Sequence, residues 1–203
     1  MMVLEGLLVT LNEDQSPNLA PMGPLIELAP GREQEIASLV FRPFQTSRSF
    51  ANLQRTRCGV FHVVDDVLLL ALAALGRPSE PLEWQPAQVV DGLVLRSACR
   101  WYEFDVAEFD TERPRSEIST TIRHVGRFRD SLGFNRARHA VIEATILATR
   151  VHLNNFDELD EQWPWLASAI QKTGGPRERE AFALVADHVE RHRAEVAARA
   201  PDC

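Results

Sequence analysis

Apolar and polar positions alternate over the first two thirds of the chain, and the period then changes. Residues 4–11 (LEGLLVTL) read as a β-run, closed by the turn cluster at residues 12–17. Residues 18–28 resume extended structure, interrupted by prolines, so the two runs predict an opening hairpin. A third strand follows at 35–41. Residues 46–56 (TSRSFANLQRT) predict a short helix with Thr46 or Ser47 as its cap. Residues 58–64 are a strand, and Asp65 or Asp66 then caps an apolar helix over 67–75 that ends near Gly76. Residues 77–86 form a proline-rich loop and 89–95 a short strand. Residues 99–109 alternate, with Trp101, Glu103 and Asp105 on one side and Tyr102, Phe104 and Val106 on the other. A further strand at 116–128 puts Ile118, Thr120, Ile122 and His124 on one side.

From residue 135 the pattern is helical. Residues 135–153 carry Ala, Ile and Leu throughout, 158–172 predict a second helix, and Lys172 to Pro176 is a break. A third helix runs over 177–199 and ends at Pro201. Strands that follow one another with few helices between them favour a barrel over a parallel sheet. The expected class is therefore mainly β with α: an antiparallel barrel of six or seven strands, then a C-terminal helical segment. The expected division is 1–130 for the barrel and 131–203 for a helical subdomain packed on it.

Composition narrows the function classes. The chain has 203 residues and a net charge of −7, which disfavours nucleic acid as a partner, because that affinity comes from neutralising phosphates. Cys58, Cys99 and Cys203 are scattered and form no CxxC, so neither a disulfide framework nor a zinc site is expected. The start MMVLEGLLVTLNED has no basic region ahead of its apolar run, and the longest apolar run, residues 67–75, falls well short of the roughly 20 residues a membrane helix needs. A cytoplasmic protein without membrane contact is expected. No GxGxxG follows a strand, and neither a Walker motif nor GxSxG is present, which disfavours a Rossmann dehydrogenase, a P-loop NTPase and an α/β-hydrolase.

Several constellations carry candidate chemistry. In residues 42–52 (RPFQTSRSFAN) a strand ends in an arginine and hydroxyl-bearing residues open a helix. A helix N-terminus offers free N–H groups and a positive dipole end. Arg42 and Arg48 add charge, and Thr46, Ser47 and Ser49 add hydroxyls. That set suits a phosphate monoester, while plain capping beside two solvated arginines explains the same residues. In residues 18–24, prolines and a glycine leave backbone groups that suit a flat heteroaromatic ligand; an ordinary edge strand gives the same pattern. Asp65-Asp66 reads as a helix cap and Cys99 as a buried structural thiol. On the long helix, Arg136, His139, Glu143 and Arg150 fall in a stripe roughly 60° wide, either an anion-binding row or an i,i+4 ion-pair face.

Taken in order, the segments LVTLNEDQSPNLAPMGP, FRPFQTSRSFANLQRT, VVDDVLLLALAALG, SACRWYEFDV, HVGRFRDSLGFNRARHAVIEATILATRVHL and KTGGPREREAF resemble the FMN-binding split-barrel superfamily. Flavin reductases and pyridoxamine-phosphate oxidases belong to it. Within it, the chain is most similar to a domain-of-unknown-function family with a helical C-terminal part. The resemblance implies a homodimer with FMN at the subunit interface. It implies that Arg42, Thr46, Ser47 and Ser49 hold the phosphate, with Asn52 fixing the loop. It further implies that Ala20, Pro21, Met22 and Gly23 run along the isoalloxazine, with Asp65 near the ring pocket. No metal is expected. The implied function is an FMN-dependent oxidoreductase acting on a small substrate, with Arg136 and His139 as candidate catalytic residues. A non-catalytic flavin-binding or accessory protein, and a split-barrel dimer binding another planar ligand such as haem, are the alternatives.

Overall fold

The computed structural model describes residues 2–77, 81–153 and 156–199. Residues 78–80 of the proline-rich loop, together with Pro201 and Cys203, lie outside the described residues. The chain divides into two compact units. One comprises Met1–Val64 and Pro81–Ser131, the other Asp65–Glu80 and Leu132–Cys203. Residues 65–80, which sequence order places inside the barrel segment, thus group with the C-terminal helices.

The first unit is built on one antiparallel sheet of eight strands. They are β1 (Met2–Val3), β2 (Leu7–Leu11), β3 (Pro17–Pro21), β4 (Leu25–Ala29), β5 (Arg32–Phe41), β6 (Cys58–Val63), β9 (Arg100–Asp110) and β10 (Glu117–Arg127), in the order β1-β4-β5-β10-β9-β6-β2-β3. Two further strands, β7 (Trp84–Pro86) and β8 (Leu93–Leu95), form a separate hairpin. The expectation of six or seven strands is corrected to eight in the main sheet. The reason is local. β1 with β2, and β3 with β4, are halves of two long extended segments, interrupted at residues 4–6 and 22–24. Across the interruption the two segments remain one hairpin: Leu7 pairs with Pro21, Met22 N donates to Gly6 O at 3.0 Å, Leu4 N donates to Pro24 O at 3.1 Å, and Val3 pairs with Leu25.

The pairs at the two ends of the strand order, β1-β4 and β2-β3, therefore belong to a single hairpin. The sheet is thereby curled into a half-barrel. The interior confirms the curl, because Leu8, Ile26, Leu39, Phe41, Phe61, Tyr102, Phe104 and Ile118 share one buried cluster although β2 and β4 stand far apart in the strand order. Gly6 is required at the interruption, since a Cβ there would lie 2.4 Å from His62 O. Among the described residues β3 pairs with β2 alone, so its other edge has no strand partner. Helix α1 (Arg48–Thr56) stands beside it.

The outer face of β6 and β9 is covered as well. Val60, Trp101 and Val94 form a small cluster with Ala87 and Val90, so residues 84–95 lie as a strap over that face. Trp101, Glu103 and His62 are consequently buried. The strand predicted over 89–95 is shorter than expected, because residues 87–92 form a loop around the Glu103 carboxylate.

The second unit holds α2 (Val67–Ala74), α3 (Arg136–Ala148), a 3-10 turn (Val151–Leu153), α4 (Asp157–Thr173) and α5 (Pro176–Arg199). Asp66 caps α2 by accepting from Leu68 N and Leu69 N, and Asn135 caps α3 in the same way. The apolar faces meet in one core that includes Val67, Ala71, Ala140, Val141, Ala144, Leu166, Ile170, Ala181 and Val185. α2 is apolar all round, as suits a helix packed among others. No helix among the described residues is long and apolar enough to cross a membrane.

Candidate functional site

The segment from Arg42 to Asn52 is rigidly placed. β5 ends at Phe41 and α1 starts at Arg48, with Ser47 as the N-cap whose hydroxyl accepts from Phe50 N at 3.2 Å. The turn between them is pinned to the β9–β10 connection. Ser116 N donates to Pro43 O, and Gln45 Nε2 donates to Thr111 O at 2.9 Å and Arg113 O at 2.6 Å. Gln45 is thus a fastening residue. Phe44 is exposed beneath the Arg115 guanidinium, which lies 4.9 Å from the ring centre.

The predicted phosphate residues separate into two groups. Arg42, Thr46 and Ser47 stand at the entrance of α1 and are exposed or half-buried. No acidic residue occupies the first turn of α1, whose leading amides have no partner within the helix. Ser49 and Asn52 are buried. Asn52 Nδ2 donates to Thr10 Oγ1 at 3.1 Å and Asn12 Oδ1 at 3.0 Å. Ser49 Oγ accepts from Asn18 Nδ2 at 3.1 Å. These two residues tie α1 to β2 and β3. The contact also brings the two sequence-predicted segments together, because Asn18 belongs to the strand that continues into Ala20, Pro21, Met22 and Gly23. Those four residues are all half-buried. Met22 packs against the barrel cluster.

Arg42 itself is paired. Its Nε and Nη2 donate to the single oxygen Oε2 of Glu117 at 3.0 and 2.7 Å, and both side chains are half-exposed.

The remaining predicted residues lie in the helical unit. Asp65 accepts from Leu132 N at 3.2 Å and faces Arg138 Nη1 at 3.8 Å. Arg138, which was not singled out in the sequence, is the inward-facing cation of α3. Its Nε donates to Glu178 Oε1 at 3.0 Å. Burial alone would raise the Glu178 carboxyl, but the bonds from Arg138 and from Gly175 N outweigh it and hold it below the usual range. Arg136, His139, Glu143 and Arg150 are all exposed, and Arg150 lies beyond the end of α3. The edge of the Phe134 ring meets His139, with centroids 6.0 Å apart.

Two ionisable groups in the barrel unit are buried, which the strand pattern did not signal. Glu103 accepts from the amides of Gln88 (3.0 Å) and Val89 (2.7 Å) and from Trp101 Nε1 (3.0 Å). Burial pushes its carboxyl up, and these donors, with His124 nearby, more than reverse the shift, so it lies below the usual value. His62 Nδ1 lies 3.3 Å from Leu7 O, and Nε2 accepts from Leu95 N at 3.0 Å. That geometry fixes a neutral ring protonated at Nδ1, and burial pushes its pKa down to about 4. His124 Nε2 is buried with no hydrogen-bond partner among the described residues. Burial raises the Cys58 thiol, which donates to Asp91 O, the opposite of the environment that activates a thiolate. Among the described residues, no three His, Cys, Asp or Glu side chains gather as a metal site.

Comparison with known proteins bears on this arrangement. No curated protein matches the sequence significantly. Among solved structures, an FMN-bound protein of Methanosarcina mazei superposes with a TM-score of 0.75 at 22% identity, covering 92% of this chain and 94% of that one. The flavin reductase component of a bacterial two-component tryptophan halogenase superposes at 0.51 with 14% identity, over 64% of this chain and 82% of its own. Flavoredoxin of Desulfovibrio vulgaris superposes at 0.50 with 11% identity, over 62% and 70% of the two chains. At these identities the likenesses establish the fold. The family model described as the N-terminal domain of a protein of unknown function, DUF447, matches residues 4–127, and its companion DUF447 model matches residues 135–187. The chain is a member of the DUF447 family.

Proposed function

We propose that this protein is a split-barrel flavoprotein that binds FMN, with the phosphate at the N-terminus of α1. Arg42, Thr46 and Ser47 supply charge and hydroxyl donors there. Ser49 and Asn52 hold the helix in place from behind. The open edge of β3 and the segment Ala20–Pro21–Met22–Gly23 lie along the flavin ring. The observation that carries this reading is the Asn18–Ser49 hydrogen bond. It sets an unpaired strand edge beside a helix N-terminus free of acidic residues. A flat heteroaromatic ring bearing a phosphate monoester needs those two surfaces side by side. The FMN-bound relative from Methanosarcina mazei supports the choice of ligand.

When bound, FMN supplies one- and two-electron transfer. The chain's own part is to seat the phosphate, orient the ring and restrict water. We propose that an oxidoreductase reaction on a small substrate takes place at this site. Arg136 and His139, exposed on α3, are the groups offered to an anionic substrate. We place the protein in the cytoplasm, with no nucleic acid or membrane as partner. The Cys58 thiol and the acidic balance of the chain agree with that placement.

The purified protein is expected to be yellow and to release FMN, not FAD, on denaturation. A colourless protein that takes up no added FMN at micromolar concentration refutes the reading. Anaerobic mixing with NADH or NADPH then tests for bleaching of the flavin. His139→Ala should keep the FMN and lower turnover, and unchanged turnover removes His139 from the reaction.

A further inference from the structure

Arg42 and Glu117 meet because β5 and β10 are in register. Phe41 faces Ile118, so the next pair outward is Arg42 and Glu117. On its other side Glu117 faces Asp110 of β9. One cation and two carboxylates therefore cross the end of the sheet in a row. Like charges directly opposite on neighbouring strands repel, and Arg42 offsets this by donating both Nε and Nη2 to Glu117 Oε2. The guanidinium fork is used on its Nε–Nη2 side.

A phosphate monoester at the entrance of α1 draws on the same guanidinium, whose strongest grip on phosphate is also two-pronged. While Glu117 holds the Nε–Nη2 edge, the phosphate is left only the Nη1–Nη2 edge and faces the Glu117 charge beside it, unless the pair yields. The pair is half-exposed, so water screens it and it yields to a phosphate. After it yields, the carboxylates of Glu117 and Asp110 stand near the arriving dianion.

Resting on the phosphate assignment above, we propose that Glu117 is an internal competitor for Arg42. It sets how strongly the site prefers a phosphorylated flavin over riboflavin. Glutamine at this position keeps the size and an acceptor oxygen while removing the charge.

The test is a fluorescence titration of the full chain with FMN and with riboflavin at fixed ionic strength. The wild type, Glu117→Gln, Arg42→Ala and the double variant are compared. Glu117→Gln should tighten FMN about five-fold, the equivalent of about 1 kcal/mol, and leave riboflavin unchanged. Arg42→Ala should weaken FMN about ten-fold or more, and in that background Glu117→Gln should give no gain. If Arg42→Ala weakens FMN while Glu117→Gln weakens it or leaves it alone, the competitor role is overturned and the phosphate assignment stands. If Arg42→Ala leaves the preference for FMN over riboflavin intact, the phosphate role of Arg42 falls and the competitor role with it. Absence of FMN binding in all four proteins overturns both.

Discussion

His62 shows how one side chain couples this fold to pH. Its ring is fully buried, positioned to donate to Leu7 O, and accepts from Leu95 N. Folding keeps it neutral, with a pKa of about 4 against an ordinary value of 6.5. Above 6.5 neither the folded nor the unfolded chain holds the proton, and the stability is complete. As pH falls from 6.5 towards 4, the unfolded chain binds a proton that the folded chain refuses. Stability then drops by up to about 1.4 kcal/mol per pH unit and levels off below the folded value. Urea unfolding of wild type and His62→Gln at pH 6.5 and 5 measures this. The wild type should lose about 1–2 kcal/mol more than the variant over that interval, and equal losses would discard the account. The sequence did not disclose this residue. Cys58 to Val63 reads as a plain buried strand, and the partner of His62 is a backbone amide far along the chain, which no local pattern encodes. The Ser47 cap was legible, because a strand end followed by hydroxyl-bearing residues is a local signal. The Glu117 partner of Arg42 depends on strand register and was not.

At the scale of elements, periodicity located nearly every strand and helix, since alternation and 3.6-residue spacing are properties of neighbours in sequence. It failed where a second layer covers a face. Trp101, Glu103 and Asp105 form the polar-looking side of an alternating strand, yet Trp101 and Glu103 are buried under the strap at residues 84–95. Glu103 holds that strap through the amides of Gln88, Val89 and Val90. Glu103→Ala should therefore free those three amides. Their hydrogen exchange should speed at least about ten-fold, and the protein should lose about 2–3 kcal/mol. Exchange rates equal to wild type would show that the strap is held by its apolar contacts alone. The strand count was missed for a related reason. The interruption at Gly6 answers to the close approach of His62 O, a contact across the sheet.

For the whole molecule, the strongest surface feature is apolar exposure in the helical unit. Phe134 is 98% exposed and Leu132 78%, which is unusual for side chains of this size outside a contact surface. The homodimer expected from the family resemblance would cover them. Light scattering should give a dimer for the wild type, and Phe134→Asp should shift it towards monomer by about ten-fold or more in dissociation constant. A dimer unchanged by that substitution would place the contact elsewhere, and a monomeric wild type would remove the dimer.

The curl of the sheet has a consequence for how the chain acquires its structure during synthesis. The first hairpin is complete by Ala29, yet both of its flanks wait for later residues. β4 gains β5 at once, but β2 must wait for β6, and β5 for β10, which begins only at Glu117. Until β10 arrives to join β5 to β9, the sheet stands in two parts with its apolar lining in water. The barrel therefore gains its stability late, through pairings distant in sequence, which are slow to form. A nascent chain halted before Glu117 would expose Leu8, Phe41 and Phe104 together and would be a ready client for chaperones.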